Sequence, residues 1–66
     1  MDMSSNRIGR RVRIMGGMQE FIGKTGTIAW MEGPMFRVVL DDPVEIRNVG
    51  VVGDDLWEGH LLKTIS

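Results

Sequence analysis

Short stretches in which apolar and polar residues alternate recur along this chain, and a period of two is typical of half-buried β-strands. In the first of them, Val12 and Ile14 fall on one side and Arg11 and Arg13 on the other. No segment shows a 3.6-residue period long enough for a full helix. Six segments are therefore predicted as strands or parts of strands: residues 10–15, 25–31, 35–40, 44–47, 51–52 and 61–65.

Glycine, proline and aspartate punctuate these segments. The tripeptide at residues 41–43 is expected to end the third strand, and residues 44–52 form either one bulged strand or two short ones. Asp54 or Asp55 is placed to cap a single 3-10 turn over residues 54–58. Gly23 and Gly26 are expected to bend the chain into the strand at 25–31, because glycine reaches positive φ without steric cost.

Five or six short strands at this spacing predict an all-β fold, a small five-stranded SH3-like barrel. Residues 1–7 lack periodicity and are expected to form a disordered lead-in, which leaves residues 8–66 as a single domain. Trp30 and Trp57 are expected to serve structural roles. The predicted core is Val12, Ile14, Ile28, Trp30, Phe36, Val38, Leu40, Leu56 and Leu62.

Composition removes several classes of protein. The chain has 66 residues, no cysteine and one histidine, so disulfides and clusters of thiolate or imidazole metal ligands are excluded. No apolar run approaches the ~20 residues of a membrane span. We therefore expect a cytoplasmic protein that needs no cofactor, metal, membrane or small-molecule substrate. Because no general base or nucleophile is recognisable, we do not expect an enzyme.

The net charge of −1 conceals an asymmetry along the chain: residues 1–24 carry five basic and two acidic side chains, and residues 32–58 carry seven acidic and two basic ones. This division permits a basic face. Arg11, Arg13 and Lys24 are candidate phosphate contacts, with Phe21 stacking on a base. The alternative is that the arginines pair with acids across the sheet and that Phe21 plugs one end of the barrel.

Methionines suggest a different surface. Met15, Met18, Met31 and Met35 lie at strand ends or in loops, and with outward-facing Val39 they could form an apolar patch for a protein partner or a second copy. The alternative is ordinary filling of gaps in the core.

The tripeptide Gly23-Lys24-Thr25 suggests a phosphate-binding loop, but the spacing excludes one. That motif requires four residues between its first glycine and the Gly-Lys-Thr, followed by a helix. Here five residues separate Gly17 from Gly23, and a strand follows.

The glycine-bounded pattern resembles the KOW motif found in SH3-like barrels of ribosomal proteins and transcription elongation factors. The positions that match are Val12, Ile14, Gly17, Phe21, Gly23, Gly26 and Ile28. This resemblance implies the barrel fold and nucleic-acid binding.

A second resemblance covers more of the chain. The sequence carries, in order, Gly-x-x-Val-Arg-Ile from Gly9, Gly-Lys-x-Gly-x-Ile from Gly23, Arg-Val-x-Leu from Arg37, and a closing segment Asp55-Leu56-Trp57-Glu58 followed by Leu61. This order is similar to that of the SH3-like domain of the nitrile hydratase β subunit, and the closing segment matches the motif that ends that domain. In that enzyme the metal ligands lie on the other subunit, so this resemblance implies a scaffold or partner-binding role. We therefore expect a non-enzymatic protein-interaction or assembly module that binds a protein partner or a second copy of itself as a homo-oligomer. A KOW-type nucleic-acid-binding module is the alternative.

Overall fold

The computed structural model describes residues 7–65 and shows an all-β chain with one antiparallel sheet. Its strands are β1 (Arg11–Ile14), β2 (Thr25–Glu32), β3 (Met35–Ile46), β4 (Gly50–Glu58) and β5 (Leu62–Thr64). They are arranged in the order β4-β3-β2-β1-β5. Short 3-10 helices at Gln19–Phe21 and Gly59–Leu61 precede β2 and β5. The predicted five-stranded all-β fold is confirmed.

This strand order is compatible with an SH3-like fold, but the sheet is open. Within residues 7–65, every ladder joins neighbours in the order above, and none joins the two edge strands β4 and β5. All five strands nevertheless contribute to one core cluster, so the sheet curves around it. Among the described residues, the predicted barrel is thus a curved sheet that is not closed by pairing of β4 with β5.

The core lies on the concave side. Seven of the nine predicted core residues are buried, whereas Trp30 is exposed and Leu56 is only half-buried. Trp57 takes the expected place of Leu56, because it pairs with Phe36 on the inner face while Leu56 pairs with an arginine on the outer face. The buried set is Val12, Ile14, Phe21, Ile28, Phe36, Val38, Leu40, Ile46, Trp57 and Leu62.

The 3-10 turn predicted near residues 54–58 is present, but it begins directly after them. Those residues belong to β4 and pair in register with the first half of β3, and the 3-10 helix follows at Gly59–Leu61. The Asp55 carboxylate accepts a hydrogen bond from the neighbouring Leu56 backbone N–H at 2.8 Å, so it does satisfy a local donor, but within a strand. Pairing with β3 outweighs this weak local signal.

The Asp-Asp-Pro tripeptide does not end β3. The strand continues to Ile46 and turns into β4, with a register shift in the ladder between Val39 and Val44. Pro43 lies within this irregular part, which is where a strand tolerates a residue without an N–H. Of the two alternatives for residues 44–52, the separation into two strands is the one observed, although the two segments are the end of β3 and the beginning of β4, paired as a hairpin.

Arg7, the last residue of the expected lead-in, contacts the sheet. The other residues of that lead-in, 1–6, lie outside the described residues. The Arg7 guanidinium donates hydrogen bonds to the carbonyl oxygens of Gly59 at 3.1 Å and Leu62 at 2.9 Å. It also lies 5.1 Å from the centre of the Phe36 ring. These contacts join the start of the chain to its last strand.

Candidate binding face

The convex side of the sheet presents most of the side chains that could contact a partner. We call it the outer face, defined by side chains that alternate with those of the core. Its members are Arg11, Arg13, Thr25, Thr27, Trp30, Arg37, Val39, Asp41, Asp54, Leu56 and Lys63.

A β-bulge places Trp30 on this face. Ile28 pairs with Val38 and Trp30 pairs with Arg37, so Ala29 is an extra residue on β2. An extra residue shifts the alternation by one, and the side chains that follow it change faces. The predicted burial of Trp30 is therefore wrong: its side chain is 49% exposed.

Hydrogen bonds and an arginine hold the Trp30 ring in place. Its Nε1–H donates to Glu32 Oε2 at 2.8 Å. The Arg37 guanidinium lies 5.9 Å from the centre of the indole, forms an ion pair with Glu32 and approaches Asp54 at 3.6 Å. Donation by Arg37, and then by Trp30, lowers the pKa of Glu32, so its carboxylate stays ionised.

A second ionic cluster lies at the middle of the outer face. Arg11 contacts both carboxylate oxygens of Asp41, at 2.5 and 2.6 Å, and the Thr25 hydroxyl donates to the same carboxylate at 2.6 Å. The Arg11 hydrogen bonds, and then that of Thr25, lower the pKa of Asp41 to about 2. Arg11 thus follows the alternative reading, in which an arginine pairs with an acid across the sheet.

The other predicted phosphate contacts are distributed differently. Arg13 points outward from β1 and is exposed, and Lys24 is exposed just before β2. Phe21 is 2% exposed and packs edge-to-face on Trp57, with ring centres 5.2 Å apart. Phe21 therefore fills the core beside Trp57, and its ring is not accessible to a base.

The two structural glycines lie on either side of Lys24. Gly23 has a φ of +88°, in the region that side chains other than glycine rarely adopt. Gly26 is buried against β3, and a Cβ there would lie closer to the Val39 carbonyl oxygen than the 3.0 Å that real Cβ atoms keep. One glycine provides the turn and the other permits close approach of two strands.

The segment around Lys24 also borders a shallow groove of about 160 Å³. Two aspartates and one lysine line the groove, so its charge is mixed and it is not a basic site for an anion. The lining residues are Gly23, Lys24, Thr25, Asp41, Asp42 and Pro43.

The four methionines belong to two parts of the chain. Met15 directly follows β1 and Met18 directly precedes the first 3-10 helix, and both are about half exposed. Met31 and Met35 lie on either side of the turn between β2 and β3, and Val39 lies on the outer face. A Cβ at Gly17, next to Met18, would lie 3.3 Å from Trp57, which pairs with the residue that follows Met35.

Sequence reasoning missed the acids that complete these clusters, and it missed Lys63. Glu32 and Asp54 join Arg37 only because a turn and a hairpin bring β2, β3 and β4 side by side. Lys63 joins Arg13 only through the β1–β5 ladder, across about 50 residues of chain. Alternation along β1 and β5 signals which way these two side chains point, but pairing depends on topology.

Comparison of the chain with protein-family models, with curated proteins and with solved structures finds no match.

Over residues 7–65, no group of three acidic or histidine side chains is close enough to hold a metal ion. In the same part of the chain, no helix has the length and apolar character needed to cross a membrane.

Proposed function

We propose that this chain is a non-enzymatic protein-interaction or assembly module that binds its partner on the outer face of the sheet, around Trp30. The observation that carries the proposal is the β-bulge at Ala29, which turns a tryptophan out of a small core. Removing an indole from the core of a 66-residue chain sacrifices burial that a domain of this size needs. Bulges that re-aim side chains are concentrated at functional sites.

The surroundings of Trp30 suit a protein interface. Tryptophan and arginine are the residues most enriched at the energetic centres of such interfaces, and both are present here in contact. The hydrogen bond to Glu32 orients the ring before binding, which lowers the entropy cost of association. Val39 and Leu56 add apolar surface on the same face.

The test compares the proteins that the wild-type chain and its variants retain from a cell extract. Immobilised wild-type protein, Trp30→Ala and Val49→Ala would be incubated with extract of the cells that encode the chain, and retained proteins identified by mass spectrometry. Val49 is the matched control, since it is 71% exposed but lies in the turn between β3 and β4, outside the outer face. We expect Trp30→Ala alone to lose specific partners. If the three proteins retain the same set, the proposal is wrong.

Self-association is the simplest form of this proposal. Light scattering at increasing concentration would then give a mass above the 7.4 kDa of the monomer, and Trp30→Ala would return it to that value. A self-associated species unaffected by Trp30→Ala would place the contact elsewhere on the molecule and contradict the proposal.

Nucleic-acid binding is the second candidate, favoured by the outward cations Arg13 and Lys63. Its support is weaker, because Phe21 is buried and Arg11 is already paired with Asp41. Labelled single-stranded RNA and DNA would be titrated at low and high salt. Binding that weakens steeply with salt supports this candidate. Absence of binding at low salt eliminates it.

A further inference from the structure

Arg13 and Lys63 lie directly opposite each other on the outer face. They are Cα partners in the antiparallel β1–β5 ladder, next to the buried pair formed by Ile14 and Leu62. Side chains at such positions start ~5 Å apart and point to the same side of the sheet. The side chains of an arginine and a lysine thus leave the backbone side by side at one edge of the outer face.

This arrangement is unlike that of the other arginines on the outer face. Arg11 is paired with Asp41, and Arg37 with Glu32 and Asp54. Neither Arg13 nor Lys63 forms an ion pair or a side-chain hydrogen bond with any residue between 7 and 65. Like charges directly opposite each other destabilise a sheet, so a bound anion would relieve a repulsion that the fold itself maintains.

We infer that Arg13 and Lys63 together bind a carboxylate of an acidic segment in the protein partner. This inference rests on the proposed function and names the chemistry of the partner. The guanidinium offers a planar pair of donors and the ammonium a third, all charge-assisted. The bound carboxylate takes the place that Asp41 takes for Arg11.

The distribution of charge favours a single carboxylate over a nucleic acid. A nucleic-acid strand presents a phosphate at every nucleotide and is bound by a continuous track of cations. On the outer face, Arg11 opposite Thr27 and Arg37 opposite Trp30 are neutralised by carboxylates, which would repel successive phosphates. The Arg13–Lys63 pair is therefore an isolated basic site.

The distance from this pair to Trp30 sets the spacing of the partner's residues. Thr25 lies beside Arg13, and on β3 the residues level with Trp30 and Thr25 are four apart, which is ~13 Å along the strands at ~3.3 Å per residue. Trp30 is on β2, one strand from Arg13 and two from Lys63, and a strand spacing of ~4.8 Å brings the backbone separation to ~14–16 Å. In an extended peptide, residues four apart point to the same side and span ~13 Å, and the long arginine and lysine side chains reach over the remainder. The inferred segment therefore carries an apolar residue and an acidic residue at positions i and i+4, in either direction.

The probe is a capped pentapeptide, acetyl-Leu-Thr-Ser-Thr-Glu-amide, with a glutamine analogue as its neutral counterpart. Binding to the full chain would be followed by backbone and arginine side-chain NMR shifts at low salt. We expect Arg13→Gln and Lys63→Gln each to weaken binding of the glutamate peptide about two- to fivefold, as expected for one exposed ion pair. Lys24→Gln is the matched control, since Lys24 is exposed but lies outside the pair.

Comparison of the two peptides decides the result. If the inference holds, the Arg13 and Lys63 variants bind the glutamine peptide as wild type does, because the coupling is to the carboxylate. Equal weakening of both peptides, or no weakening of either, overturns the inference. If the charge variants behave like wild type while Trp30→Ala loses both peptides, the carboxylate site is wrong and the proposed function stands. A ten-nucleotide single-stranded DNA that displaces the glutamate peptide through Arg13 and Lys63 would also overturn it.

Discussion

Replacement of Gly26 by alanine tests the packing of β2 against β3 most directly. The added Cβ would lie within 3.0 Å of the Val39 carbonyl oxygen, 2.8 Å from Val38 Cγ1 and 3.1 Å from Leu40 Cα. Two of these three neighbours are backbone atoms, which cannot rotate away. The β2–β3 ladder would have to separate by several tenths of an ångström at its end pair, Gly26 and Leu40.

The magnitude follows from two opposing effects. Alanine restricts the unfolded chain and would by itself stabilise the protein by ~0.4–1 kcal/mol. Overpacking against rigid neighbours costs ~1–3 kcal/mol and occasionally more, and the backbone contacts place Gly26→Ala at the upper end. We therefore expect a net loss of ~2 kcal/mol, a large part of the ~3–10 kcal/mol typical of a domain of this length.

Urea unfolding followed by circular dichroism would measure this loss. With a slope near ~1 kcal/mol/M, the midpoint should fall by ~2 M at unchanged slope. Gly53→Ala is the control, since no atom lies within 4 Å of a Cβ there and the backbone has no positive φ. That variant should unfold at or slightly above the wild-type midpoint. Equal midpoints for the two variants would refute the argument from close approach.

Other substitutions separate the core from the outer face. Phe21→Ala should cost ~3 kcal/mol and shift the emission of Trp57 to longer wavelength, because it empties a buried site against that ring. Trp30→Ala should cost ~1 kcal/mol or less in the same urea assay, since the ring is half exposed, and a larger loss would mean that Trp30 serves the fold. The Asp41 carboxyl should titrate near pH 2 by carbon-detected NMR. Because its folded pKa lies below the ordinary 3.8, its contribution to stability is present above that value and is lost as the pH falls toward 2, and Asp41→Asn should flatten this part of the pH profile.

The features that could be predicted from the sequence are those that depend on residues near one another along the chain. The buried positions Val12, Ile14 and Val38 follow from alternation with a period of two, which needs no partner strand to be visible. The positive φ of Gly23 follows from its place in a turn. Trp30 could not be placed in the same way, because the bulge that turns it outward exists only in the pairing with β3.

The candidate site was less predictable than the fold. Arg13 was recognised as an outward cation, but its opposition to Lys63 depends on the register of β1 against β5. The methionines were grouped because they are close in sequence to one hairpin, whereas Met15 directly follows β1 and Met31 lies beside the turn between β2 and β3. Which side chains are neighbours on a sheet face depends on the register between the paired strands, and no single segment of the sequence determines that register.

The sequence by itself determined that this chain forms a small antiparallel β-sheet and which face of most strands is apolar. Those properties are local, since side chains alternate along any strand and glycine and proline mark the turns. The tertiary structure alone decided that Trp30 is exposed, that Arg11 and Arg37 are neutralised, and that Arg13 lies opposite Lys63. These depend on pairing between distant segments, where one extra residue moves a side chain to the other face of the sheet.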